Sequence, residues 1–216
     1  MLNEWEGKQI LQSAGIPTPT GKLTNAENAA EVAESLSYPL ALKMVSSKLA
    51  HKTEAGAVQL NLQSPEQVNT AIQTMQQAVA AYNPDAVSDQ FLLEQMVPGA
   101  ITELMVSIRQ DEQFGLAMTL ASGGIFIELI GDAVTLLLPC SEQEILTALD
   151  KLKISKLLDG FRGKPAVDRQ LLAGELLKLA QLMESQRDEI AEVEINPLFV
   201  LEEGVCAVDV LMQKYT

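Results

Sequence analysis

The chain has 216 residues, 47% of them hydrophobic, and its 29 acidic against 15 basic side chains give a net charge of -14. That length and apolar content bury a sizeable core, in one domain or in two closely packed lobes, while the acidic balance argues against nucleic acid and anionic membrane surfaces as partners. Cys140 and Cys206 lack CxxC spacing, and Met1-Leu2-Asn3-Glu4-Trp5-Glu6 lacks the basic start and apolar run of a signal peptide, so the expectation is a soluble, cytoplasmic chain with reduced thiols and no zinc site.

In chain order, Trp5, Ile10 and Leu11 predict a short leading helix that Gly15-Ile16-Pro17 stops. Thr24-Asn25-Ala26-Glu27 supplies a capping residue before an Ala-rich helix to about Leu36, and Tyr38-Pro39 ends it before the apolar run Leu40-Ala41-Leu42-Lys43-Met44-Val45, a buried strand carrying one lysine. Residues 46 to 55 read as a loop, and the alternation from Gly56 to Leu62 as a half-buried strand. Ser64-Pro65-Glu66 opens an amphipathic helix to about Ala81. Short strands are then predicted near 91 to 97, 102 to 109, 115 to 121, 125 to 130 and 133 to 138, spaced closely enough to favour antiparallel pairing. Helices near 141 to 151 and 168 to 186 precede two final strands near 191 to 201 and 205 to 211. The predicted division is an N-terminal lobe over 1–97 and a C-terminal lobe over 98–216.

A few residues break these patterns. Lys43 interrupts an apolar strand, so its ammonium either snorkels out of the sheet or meets an anion. His51, the chain's one histidine, stands in Ala50-His51-Lys52-Thr53-Glu54-Ala55-Gly56, where imidazole, a lysine charge and a glycine could together meet a phosphoryl group, unless it is a solvated loop residue. Leu92-Leu93-Glu94-Gln95-Met96-Val97 fits a hinge strand whose backbone bonds an adenine edge, and Glu103 could accept from ribose hydroxyls; alternatively both glutamates face solvent. Ser122-Gly123-Gly124 is either a tight turn or a close approach to phosphate. Glu192, Glu194 and Asn196 share one strand face, and Asp209 interrupts the neighbouring strand; Asn196 and Asp209 supply the hard oxygens that Mg²⁺ takes when it shares coordination with phosphates.

In this order the segments resemble the ATP-grasp subunit or domain of the NDP-forming acyl-CoA synthetases, the family of the ADP-forming acetate–CoA ligases and, more distantly, of the succinyl-CoA synthetase β chain. The resemblance runs through most of the chain. Its most specific parts are His51-Lys52-Thr53-Glu54 and Glu194-Ile195-Asn196-Pro197 with Asp209; Gly160-Phe161-Arg162-Gly163 also belongs to it. It implies an α/β (α+β) ATP-grasp fold of two lobes, each a sheet covered by helices. It further implies ATP/ADP and Mg²⁺ as cofactors, with Lys43 on the phosphates, Lys52 adding charge beside them, Glu94 and Val97 on the adenine side, and Glu103 on the ribose. Asn196 and Asp209 would ligate Mg²⁺, Glu194 would orient the phosphoryl acceptor, and His51 would relay the phosphoryl group. No CoA-binding Rossmann segment is visible in the 216 residues, so the resemblance implies a CoA-binding α-type partner in a hetero-oligomer. The other reading is a regulatory, nucleotide-sensing ATP-grasp module like that of fused protein acetyltransferases; a carboxylate–amine ligase is a third, and has no use for a loop histidine.

Overall fold

A computed structural model describes residues 1–49, 52–123 and 131–215, which fall into two compact units, one of Pro19–Val97 and one of Met1–Thr18 with Pro98–Thr216. The first unit holds β1 (Gly21–Asn25), α2 (Ala29–Glu34), β2 (Leu40–Met44), β3 (Val58–Leu62), α3 (Pro65–Tyr82) and β4 (Gln90–Gln95), numbered after the leading helix α1 (Glu4–Ser13). Its four strands run β1-β4-β2-β3, with antiparallel neighbours. Alternation along β2 and β4 sends Leu40, Leu42, Met44, Phe91 and Leu93 into a core closed by Ala29 and Ala33 of α2 and Ile72, Met75 and Val79 of α3. The same alternation sends Ala41, Lys43, Leu92 and Glu94 to the other face, where all four are buried. Ser64 caps α3 by accepting from the Gln67 N–H, and Pro65 occupies the first turn, where its missing donor costs nothing.

The second unit is a six-stranded sheet whose main path runs β10-β8-β5-β6-β7, with β9 beside β8. Its strands are β5 (Thr102–Asp111), β6 (Gly115–Ser122), β7 (Ala133–Leu137), β8 (Ile190–Val200), β9 (Val205–Ala207) and β10 (Val210–Lys214); its helices are α4 (Glu142–Lys151), α5 (Ser155–Leu158) and α6 (Arg169–Ser185). Val106, Ile108, Met118, Leu120, Val193 and Ile195 meet Ile145, Leu149, Leu172 and Leu176 in the core of this sheet. Asp132 is buried and accepts from the N–H groups of Lys153 and Ile154, which ties the α4–α5 junction to the β6–β7 side of the sheet. Arg169 gathers the carboxylates of Asp150 and Asp159 at 2.8 and 2.7 Å, anchoring the start of α6.

The leading helix forms where predicted, with an Asn3–Glu6 capping box at its start. The division at 97 groups it with residues 19–97, whereas in the structure it belongs to the unit of Pro98–Thr216. Leu11 enters the core of the second unit, Gly7 lies so close to β10 that a Cβ there would stand 3.0 Å from Val210 Cγ1, and the Leu2 N–H donates to the Met212 carbonyl. The packing of its apolar side and the match to β10 decide the allegiance of this helix, not its place in the chain.

Other differences are local. The cap expected within Thr24-Asn25-Ala26-Glu27 falls one residue later, at Asn28: Thr24 and Asn25 lie in β1, a strand with too little apolar alternation to announce itself, and α2 begins after an Asn25–Asn28 turn in which the Asn28 N–H donates to Asn25 Oδ1. Strand β3 does not keep its inside-outside alternation, because Asn61 takes a positive φ of 60° and the register against β2 shifts. The last predicted strand is two, broken at Val208 and Asp209. The strand predicted over 125 to 130, and with it Gly124, lies outside the described residues. Among the described residues no helix is long and apolar enough to cross a membrane.

Candidate functional site

In the unit of residues 19–97, Lys43 pairs with Leu92 across β2 and β4, so Glu94, two residues further along β4, lies diagonally opposite it on the same face. The Lys43 Nζ stands 2.9 Å from a carboxylate oxygen of Glu94, with Lys43 3% and Glu94 2% exposed. Charges this deep need opposite charge beside them, since a lone buried ammonium or carboxylate would cost several kcal/mol. Of the two readings of Lys43, snorkelling is therefore excluded. Glu94 is not solvent-facing either. Room for its side chain comes from Gly21 on β1, where a Cβ would stand 2.8 Å from Glu94 Cγ and 2.7 Å from the Leu93 carbonyl.

Beyond Glu94 the strand peels away. Gln95 and Met96 donate their N–H groups to the carbonyls of Thr20 and Pro39, and among the described residues the half-buried Val97 N–H meets no acceptor. A half-buried backbone donor needs a partner from water or a ligand. His51 lies outside the described residues. The turn that follows it is closed by the Ala57 N–H on the Lys52 carbonyl at 2.8 Å and the Gly56 N–H on the Thr53 carbonyl at 3.1 Å. Gly56 there has φ +69° and leaves 2.9 Å between a built Cβ and Ala78 Cβ, so a larger residue is excluded twice over.

In the second unit Glu103 sits near the start of β5, opposite Phe199 and half-buried. The Gly123 N–H donates to its carbonyl at 2.8 Å, and a Cβ on Gly123 would stand 2.8 Å from the Glu103 carbonyl carbon. Close approach, not a positive φ, requires this glycine. Along β8, Val193 and Ile195 are fully buried while Glu192, Glu194 and Asn196 take the other face, as the alternation predicts. Val210 pairs with Ile195, which puts Asp209 opposite Asn196; the Asn196 N–H donates to the Asp209 carbonyl at 3.2 Å and the Val208 N–H to the Pro197 carbonyl at 3.1 Å. Directly opposed side chains in an antiparallel pair stand about 5 Å apart at Cβ, within reach of one ion.

These oxygens fit Mg²⁺ in one particular way. Among the described residues no group of three or more His, Cys, Asp or Glu side chains forms a metal cage. One carboxylate and one amide oxygen on adjoining strands match the partial protein coordination that Mg²⁺ accepts when phosphates and water complete its shell. A cavity of about 770 Å³ opens elsewhere, lined by Gln110, Leu138, Glu184 and Arg187 among others. It stands at the far end of β5 from Glu103, roughly 24 Å along the strand, and holds none of the residues singled out in the sequence.

Two residues of these sites, Gly21 and Lys8, are not marked out by any sequence motif. Lys8 is 1% exposed and bonded to the carbonyl of Val208, the residue before Asp209. The available signal was the Glu4–Lys8 spacing of one helical turn on the side of the helix that carries Leu11.

Residues 1–213 match the family model described as an ATP-grasp domain. The β subunit of ADP-forming acetate–CoA ligase II from Pyrococcus furiosus is 34% identical over 207 residues, covering 95% of this chain and 87% of that protein. A structure of the dinucleotide-forming acetyl-coenzyme A synthetase 1 of Ca. Korarchaeum cryptofilum, in complex with coenzyme A, Ca-AMPCP and HgCl+, superposes with a TM-score of 0.91 at 31% identity, over 99% of this chain and 93% of that one. A second structure of that synthetase holds coenzyme A and Mg-AMPPCP with its phosphohistidine segment pointing towards the nucleotide site; it superposes with a TM-score of 0.81 at 30% identity, over 98% of this chain and 92% of that one. With its two helix-covered antiparallel sheets, the chain belongs to the ATP-grasp family.

Proposed function

We propose that the chain is the nucleotide-binding, phosphoryl-transferring β-type subunit of a cytoplasmic ADP-forming acyl-CoA synthetase, which turns an acid, CoA and ATP into acyl-CoA, ADP and phosphate. The observation that carries this reading is the register of β8 against the β9–β10 break, which sets Asn196 opposite Asp209 with Glu194 two residues away on the same face. The likeness to ligase β subunits supports it, and with it a CoA-binding α-type partner in a hetero-oligomer. The regulatory-module reading is not favoured, because the similar proteins are ligases.

Phosphoryl transfer asks for positioning and charge neutralisation more than for covalent help. Lys43 binds the ATP phosphates, and Glu94 keeps its ammonium charged and aimed. The Val97 backbone takes the adenine edge, Glu103 the ribose hydroxyls, and Lys52 adds positive charge near the phosphates. Asn196 and Asp209 hold the Mg²⁺, which offsets charge on the phosphate oxygens. Glu194 orients the acceptor. In the forward relay an imidazole nitrogen of His51 forms a bond to the γ-phosphorus as the bond to the β–γ bridging oxygen breaks, and ADP leaves with that electron pair. The reverse step regenerates ATP, which the reactive N–P bond permits.

Incubation with γ-labelled ATP and Mg²⁺ tests the relay. Acid-labile label on the wild-type chain that disappears in His51→Ala is the expected result; label that survives the substitution removes His51 from the relay.

A further inference from the structure

The ion pair of α1 has no place in the chemistry above, yet it is among the most deeply buried polar groups of its unit. Lys8 Nζ stands 2.8 Å from Glu4 Oε1 one turn away, and donates to the Val208 carbonyl at 2.7 Å, 200 residues on. Glu4 is 7% and Lys8 1% exposed. A buried ion pair is weak evidence of stabilisation, since well-packed apolar residues of like volume do as well or better. What the pair achieves is local. The Val208–Asp209 peptide lies where β9 has ended and β10 has not begun, so the sheet ladder alone does not fix it. The peptides on either side of it are bonded to β8, one by the Asn196 N–H on the Asp209 carbonyl and the other by the Val208 N–H on the Pro197 carbonyl. The Val208 carbonyl of the peptide itself is held by Lys8, and just before it the Ala207 N–H donates to the Pro17 carbonyl. Gly7 lets α1 approach β10 closely enough for the Lys8 bond to form.

We propose that Glu4 and Lys8 are positioning residues for the metal ligands: Lys8 grips the Val208 carbonyl, Glu4 neutralises and aims Lys8, and the peptide so held presents Asp209 opposite Asn196. The inference rests on the metal role given above to Asp209 and Asn196, and extends it to a helix at the other end of the chain. Because the pair carries no net charge, it fixes the peptide without repelling the cation.

The test uses the full chain and reads Mn²⁺ binding by electron paramagnetic resonance in the presence of a non-hydrolysable ATP analogue, beside the melting temperature. The Glu4→Leu/Lys8→Met double variant removes both charges together and is expected to melt close to wild type while binding Mn²⁺ at least fivefold more weakly. Gly7→Ala, which pushes α1 away from Val210 and keeps the pair, is expected to weaken Mn²⁺ binding by about threefold and decides the matter should the double variant not fold. Wild-type Mn²⁺ affinity in the folded variants overturns the proposal. Asp209→Asn separates the two levels: if it abolishes Mn²⁺ binding while the α1 variants do not, only the positioning role falls, and if it leaves Mn²⁺ binding intact, the metal site itself falls.

Discussion

Lys43 and Glu94 meet diagonally across β2 and β4, Nζ to carboxylate oxygen at 2.9 Å, with both side chains closed off from solvent. Removing either alone takes from the other, a deeply buried charge, the counter-charge at 2.9 Å. Lys43→Met and Glu94→Gln are each expected to lower the unfolding free energy by about 3–5 kcal/mol in urea titrations. The double variant Lys43→Met/Glu94→Leu should recover most of that loss and still fail to bind Mg·ATP. Wild-type affinity in the double variant would remove Lys43 from the phosphate site.

Three glycines separate close approach from ordinary helix cost. Gly21→Ala puts a methyl 2.8 Å from Glu94 Cγ, and Gly123→Ala puts one 2.8 Å from the Glu103 backbone, so both should destabilise by about 1–3 kcal/mol and weaken nucleotide binding. Gly174, inside α6 with nothing within 4 Å of a built Cβ, should do the reverse: Gly174→Ala is expected to stabilise by about 0.5–1 kcal/mol with binding unchanged. Thermal melts paired with ATP titrations of the three variants check this.

The β5–β6 hairpin carries an acid-sensitive latch. The Asp111 carboxylate accepts from the N–H groups of Gln113 at 2.8 Å and Phe114 at 3.0 Å, and these bonds, led by that to Gln113, hold its pKa below the ordinary value. A carboxyl whose folded pKa is depressed contributes stability above its unfolded pKa and loses it as pH falls through the folded value. Exchange protection factors at Gln113 and Phe114, corrected for the intrinsic pH dependence of amide exchange, should therefore be high at neutral pH and fall below roughly pH 4, the ordinary aspartate range. Asp111→Asn should flatten that pH dependence. An unchanged profile in the variant would show that another group sets it.

Much of this was legible because local pattern and tertiary need coincide. A lysine inside Leu40-Ala41-Leu42-Lys43-Met44 had either to snorkel or to meet an anion, and the alternation around Glu194 and Asn196 puts them on one face. The resemblance named the fold. What stayed hidden depends on partners distant in sequence. The partner of Lys43 could not be named because strand order brings β4 beside β2 across 45 intervening residues. Strand β1 was missed because Gly21-Lys22-Leu23-Thr24-Asn25 has one large apolar residue and owes its extended form to pairing with β4. The allegiance of α1, and hence the place of Lys8, depends on Val208 at the other end of the chain.

The nucleotide site itself is the central claim, and ligand-induced stabilisation measures it most directly. At a Mg·ATP concentration a hundredfold above its dissociation constant, the unfolding free energy should rise by about 2.7 kcal/mol, seen as a clear upward shift of the melting temperature. Chelating the divalent ion should shrink that shift, and Lys43→Met/Glu94→Leu should abolish it. A melting temperature that stays the same with and without saturating Mg·ATP would contradict the account.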